Sequence, residues 1–429
     1  MTTVTNDHPR TIYFPGISDH FKATAAAYRA YGQDAVALPL TSRESLALGM
    51  QVSRGYECLS FVITLGDLFL GSRQPGFDPT RAALYVPDLT TKCVAVNFGA
   101  RHREILREHG LGAVKILTPV AGNNFEGLGT THALIGDLSW AGIVAVDMLI
   151  QIQQIIRPYE LEPGAADATY QRELSRVVAA TESGSINAII AALEVSASEF
   201  AAIPQDRSQI RPRIVLVGEY LLYNSYLNLD LVRQMERLGG EVEVNRYYKM
   251  FYGLHLGILE RARALNNEAA YHQVLADNTH LREIEHRVIE PVKHLLTGRQ
   301  IYAPPNEVLR NYAKPYYEPE ISNGGVDWAE ALNMVEHGAS AVLQLVPFLC
   351  LGSIISAAMG SQVRHEVGGV PWLDVVFDSQ GGTNIRTRLE AFMHQAAQFQ
   401  RSGSRPRPHQ PTIPLALGGR PHPPVATGV

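Results

Sequence analysis

The chain has 429 residues, 37 basic and 42 acidic, with three cysteines and an isoelectric point near 6.3. Domains usually hold roughly 100–200 residues, so this length predicts two. The near balance of charge excludes a general attraction to phosphate backbones or anionic lipid, and with it nucleic acid as a partner.

Residues 1–10, "MTTVTNDHPR", read as an N-terminal arm with no apolar signal core. The first domain is expected over 11–139. It opens with "TIYFPGI" as an apolar strand, then a helix capped by Ser18 or Asp19 and ended by Gly32, then "DAVALPL" as a second strand. "AALYVPDL" and "AVKILTPV" continue the rhythm on either side of a helix near "NFGARHREILREHG". Short apolar strands alternating with helices predict an α/β fold with a mainly parallel sheet, covered on both faces.

From 140 to 211 the pattern turns helical, beginning with "WAGIVAVDMLIQIQQII", and predicts a connection between the halves. The strand–helix alternation restarts at 212 with "RPRIVLVGEYLLYN" and "NLDLVRQMERLGGEVEV". It closes near 400 with "AVLQLV", "WLDVVFD" and the helix "NIRTRLEAFMHQAAQFQ". The expected architecture is thus two doubly wound, mainly parallel-sheet domains with a helical connection. Residues 401–429, dense in Pro and Gly, read as a disordered or surface-hugging tail.

The uncharged stretch from Ala339 to Gly360 is long enough to span a bilayer. Pro347 and Gly352 interrupt any continuous helix there, so it reads as a buried strand, a turn and a buried helix, with no membrane role.

Several chemistries lack their signatures. There is no Gly-Lys pair and hence no P-loop, and in "GLGTTH" His132 stands where a dinucleotide fingerprint needs its third glycine. No Gly-x-Ser-x-Gly elbow or His-Glu-x-x-His pair occurs. His280 and His286 fall in "HLREIEHRVIEPVKH", which reads as a solvated helix face. Glu57 and Asp67 could line a site, against the plainer reading of a polar rim and a helix-end hydrogen bond.

The thiols are more informative. Their spacing is too wide for a secreted disulfide framework and suits a reducing, cytoplasmic setting. Cys58, Cys93 and Cys350 each precede a predicted helix, where free N–H groups favour a thiolate, and ligands in open α/β sheets gather at the carboxyl ends of strands. Two readings stand together: three sulfurs converging on a metal, two from the first domain and one from the second, or three small apolar core residues.

"GYECLSFVITLGDLF", "QPGFDPTRAALYVP", "WAGIVAVDMLIQIQQIIRPYE", "RPRIVLVGEYLLYN", "ALNMVEHGASAVLQLVPFLC" and "DSQGGTNIRTRLEAFMHQA" resemble stretches of the 2-hydroxyacyl-CoA dehydratase and activase-related family, over about residues 11–400. The resemblance implies that Cys58, Cys93 and Cys350 hold a [4Fe-4S] cluster with one iron left open. It also implies an ATP-dependent activator as electron donor, an acyl-CoA thioester as substrate, and a homo- or hetero-oligomer. The family's activity is a radical dehydration, a lyase reaction; a related chain could instead serve as an electron-transfer, assembly or scaffolding partner. Ser60 and Leu351-Gly352 depart from the family's pattern beside two of the cysteines. Glu57, Asp67, Asn97 and His102 are the nearby groups open to acid–base work.

Overall fold

The computed structural model describes residues 10–86, 98–118, 131–218, 220–302, 306–313, 324–366, 369–377 and 384–403. The N-terminal arm before Arg10 and the tail after Gly403 lie outside them.

In chain order, the first half comprises β1 (Thr11–Phe14), α1 (His20–Ala30), β2 (Ala35–Ala37), α2 (Arg43–Val52), α3 (Leu59–Gly71), β3 (Ala82–Tyr85), α4 (Phe98–Glu108) and β4 (Lys115–Leu117). Three helices follow, α5 (His132–Ile156), α6 (Ala165–Glu182) and α7 (Ile186–Ala201). The second half begins with β5 (Arg213–Gly218), α8 (Leu231–Arg237), β6 (Glu241–Val244), α9 (Lys249–Ala264) and α10 (Glu268–Ile289). It ends with α11 (Asn306–Ala313), α12 (Gly324–Glu336), β7 (Ala341–Pro347), α13 (Leu351–Glu366), β8 (Trp372–Phe377) and α14 (Ile385–Arg401).

The strands form two four-stranded sheets, every pair parallel, in the orders β2-β1-β3-β4 and β6-β5-β7-β8. The two halves therefore repeat one strand order. In each, the first strand is central and the chain leaves it once in either direction, which makes a switch point beside its carboxyl end. Ile12 stands between Ala35 and Ala83, and Leu216 between Val244 and Leu343. β7 is buried at every position, as a strand covered on both faces must be, and its one polar residue is tied to a helix: Gln344 Nε2 donates to Ser356 Oγ of α13 at 2.5 Å. The 339–360 stretch is thus a strand, a turn and a helix, as its Pro and Gly predict.

At the start of α1 the expected side-chain cap is not made. Asp19 occupies the N-cap position, but its carboxylate accepts the Tyr170 hydroxyl at 2.8 Å and pairs with Lys22, binding α1 to α6. Gly32 follows the helix at φ +79°, the left-handed conformation that glycine adopts freely.

The helices after β4 do more than connect. α5 starts within the segment expected to close the first domain, and by length and composition it could cross a membrane; here 72% of its most apolar window is buried inside the fold. Two glutamines in its interior explain the position. Gln151 Nε2 donates to Val244 O at 2.7 Å and Gln154 Oε1 accepts Val244 N–H at 3.1 Å, so α5 satisfies the outer edge of β6.

A single apolar cluster runs from Ile12 and Leu84 beside the first sheet, through Leu216 and Leu343 in the second, to Phe392 on α14. A second cluster surrounds α5, and a third packs Trp328 and Leu332 of α12 on the other side of β5 and β7.

Candidate functional site

α3 and α13 both begin at the carboxyl edges of the sheets. Cys58 is the N-cap residue of α3, with extended backbone, and Cys350 immediately precedes Leu351, the first residue of α13. The two turns meet: Leu59 N–H donates to Phe348 O, just past the end of β7, at 3.4 Å. The turn at Cys350 is tight. Cys350 N–H bonds back to Pro347 O at 3.1 Å, and Leu349 lies at φ +60°, a conformation that costs a non-glycine residue roughly 1–2 kcal/mol. Local strain of this kind is concentrated at functional turns. Both cysteines are buried, while Phe348, Leu351 and Ile354 around Cys350 are exposed.

The structure thus brings the turns of two of the three sequence-predicted ligands together. Cys93 and Asn97 lie in 87–97, outside the described residues, and among those described no three His, Cys, Asp or Glu side chains gather as a metal site. The two thiols are of the donor type that an iron–sulfur cluster takes.

The neighbouring polar groups hold the scaffold. Glu57 accepts Arg54 N–H at 2.8 Å and lies 3.5 Å from Arg101 of α4. Burial pushes its carboxyl up, but backbone hydrogen bonds and the Arg101 charge outweigh this and hold it below the usual range. Asp67 is a buried brace at the far side of α3. Its Oδ2 accepts Gly16 N–H at 2.9 Å and the Thr41 hydroxyl at 2.8 Å, and burial pushes it up to about 6 against those bonds. Gly16 is required at that turn, since a Cβ would stand 1.8 Å from Pro39 O. His102 joins α4 to α3 through Thr64 Oγ1 at 2.8 Å, its other ring nitrogen bonding Phe98 O of its own helix at 2.6 Å. Burial lowers it to about 4, so it is neutral at pH 7.

A separate feature has no counterpart in any sequence motif. A cavity of about 620 Å³ lies at the switch point of the first sheet, lined by Ile17 after β1, Tyr85 at the end of β3, and side chains of α1, α5, α9 and α10. His280, read from the sequence as part of a solvated face, stands on its rim with Nε2 2.8 Å from Asp137 Oδ1; His286 instead packs its ring 4.1 Å from that of Tyr302. Tyr247, also lining the cavity, stacks at 4.5 Å on His20, whose Nε2 lies 3.1 Å from buried Asp147. The residues come from segments more than a hundred positions apart, so no local spacing could have announced them.

Fold and site together define an α/β protein of two parallel-sheet halves with paired cysteine turns at the sheet edges. No protein-family model matches the chain, and no curated protein matches it either.

Proposed function

We propose that this chain is the iron–sulfur-binding member of a cytosolic system resembling the 2-hydroxyacyl-CoA dehydratases. It would receive electrons from an ATP-dependent activator, act on a thioester-type substrate, and pair with itself or a related subunit. The observation that supports this most directly is the meeting of the Cys58 and Cys350 turns through Leu59 N–H and Phe348 O. Cys58 and Cys350, with Cys93 by resemblance, are the residues that would hold a [4Fe-4S] cluster. Such a cluster, held by three thiolates, supplies a one-electron couple and an iron open to a carbonyl oxygen.

The chain's own part is positional. Cys58 stands at the N-cap of α3 and Cys350 directly before α13, so both thiols are carried on helix starts. Glu57 and Arg101 fix the loop that carries Cys58, and the Leu349 turn fixes Cys350. His102, neutral and bonded on both ring nitrogens, serves as a strut, and so does Asp67.

The test is iron and acid-labile sulfide content, with an electron paramagnetic resonance spectrum, on protein purified without oxygen. About four irons per chain, lost in the triple Cys58→Ala, Cys93→Ala, Cys350→Ala variant, supports the proposal. Iron that survives in the variant, or protein that stays iron-free after reconstitution, sinks it. One observation favours a second reading, a scaffolding or assembly role with thiols as core residues: Cys58 is only 6% exposed and belongs to the shared apolar cluster. Iron-free protein with undiminished stability is the result that reading expects.

A further inference from the structure

The cavity at the first sheet's switch point has a chemistry of its own, independent of the cysteines. Phe21, Tyr28, Tyr85, Trp140, Tyr247 and Phe251 present rings to it, from both halves of the chain. A volume of about 620 Å³ lies within the range of small-molecule sites, roughly 300–1,000 Å³.

Asp137 and Asp277 bring carboxylates and His132, His255 and His280 bring imidazoles, with His280 Nε2 2.8 Å from Asp137 Oδ1; among the described lining residues there is no lysine or arginine. His255 is pushed down by burial and stays uncharged near neutral pH. An anionic ligand, whether a carboxylate or a phosphate, would face two carboxylates with no permanent cation to answer it. A cation would meet both the carboxylates and the negative faces of the aromatic rings.

We infer that this cavity binds a compact aromatic amine, its ring system among the six aromatic side chains and its ammonium head at the Asp137–Asp277 rim. The site is distinct from the paired cysteine turns and needs no metal.

Gly136 allows a clean block. It lines the cavity on α5, and a Cβ there meets nothing within 4 Å, so Gly136→Leu fills the mouth without a backbone clash and with better helix propensity. Ala133→Phe, at an exposed position of the same rim, is a second block should the first disturb folding.

The experiment titrates the full chain with 1-naphthylmethylamine, its neutral isostere 1-naphthalenemethanol and the anion 1-naphthoate, by calorimetry. The expected result is one saturable site per chain for the amine, with the anion at least tenfold weaker. Binding should be lost in a blocking variant whose circular dichroism and melting temperature match the wild type. Asp277→Asn should bring the amine and the alcohol closer together. Absence of saturable binding in the wild type overturns the inference. So do undiminished binding in both blocking variants and equal affinity for amine and anion.

Discussion

Asp147, buried in the middle of α5, holds His20 Nε2 at 3.1 Å on one oxygen and the backbone N–H groups of Tyr247 and Tyr248 at 3.1 and 2.9 Å. One carboxylate thereby ties α1 of the first half to the start of α9 in the second, answering N–H groups that a helix start leaves unbonded. Removing it strands His20 and both amides. Asp147→Ala should cost about 3–5 kcal/mol, and Asp147→Asn less, because an amide oxygen still accepts. A loss below about 1 kcal/mol for the alanine variant in urea denaturation would show that this carboxylate does not organise the junction.

The helices α2 and α3 approach at glycines. A Cβ on Gly66 would stand 2.0 Å from Ser45 O, and one on Gly49 would stand 2.1 Å from Val62 O, both backbone atoms with no room to yield. Gly66→Ala should cost at least about 1–3 kcal/mol and shift the helix that carries Cys58. Gly136→Ala, in open space on α5, should instead be neutral or stabilise by up to about 1 kcal/mol. Melting curves on the two single variants decide it; equal effects would contradict the close approach.

Asp67 gives a pH dependence of defined sign. Burial raises its folded pKa from 3.8 to about 6, so between those values the folded state holds a proton that the unfolded state has released. Stability from this group is therefore greatest below about pH 4, falls as pH rises toward 6, and stays reduced above. The span corresponds to roughly 3 kcal/mol, at about 1.4 kcal/mol per pH unit. The stability of wild type relative to Asp67→Asn should accordingly be more favourable at pH 4 than at pH 7. A difference independent of pH across that interval would rule out the raised value.

Lys249 and Glu330 form a fully buried pair, Nζ to Oε2 at 3.1 Å, with burial pulling the ammonium below its usual value. Breaking such a pair on one side leaves an unanswered charge, so Lys249→Met should cost about 3–5 kcal/mol. The double variant Lys249→Met, Glu330→Gln should recover part of that loss, since no charge is stranded. A double variant no more stable than the single one would mean that packing, not charge, sets the cost.

Much of this architecture is legible in the residues. "RIVLVG" and "AVLQLV" are apolar but for Arg213 at a strand end and Gln344, because strands covered on both faces have no polar side, and Gly239 at φ +90° ends the turn after α8 as its position suggests. The helix starts at Cys58 and Cys350 follow from the apolar runs behind them. What the residues do not disclose is pairing at a distance. Nothing local to "WAGIVAVDMLIQIQQII" shows that Gln151 and Gln154 will close a strand edge near Val244, so the segment reads as a linker when it is a central helix. "HLREIEH" does place His280 and His286 on an exposed helix face, but nothing local shows that His280 will meet Asp137 at a cavity rim.

The apolar cluster that runs unbroken from Ile12 to Phe392 bears on how molecules could enter and leave. Proteins built from two α/β lobes commonly work as a clamp, swinging about a hinge to admit a ligand between them. Here that swing would tear a common interior and expose it to water, together with the Asp147 junction. The two sheets share one interior, and a ligand bound as inferred above would reach the cavity past its own rim at His280 and Gly136 without parting them.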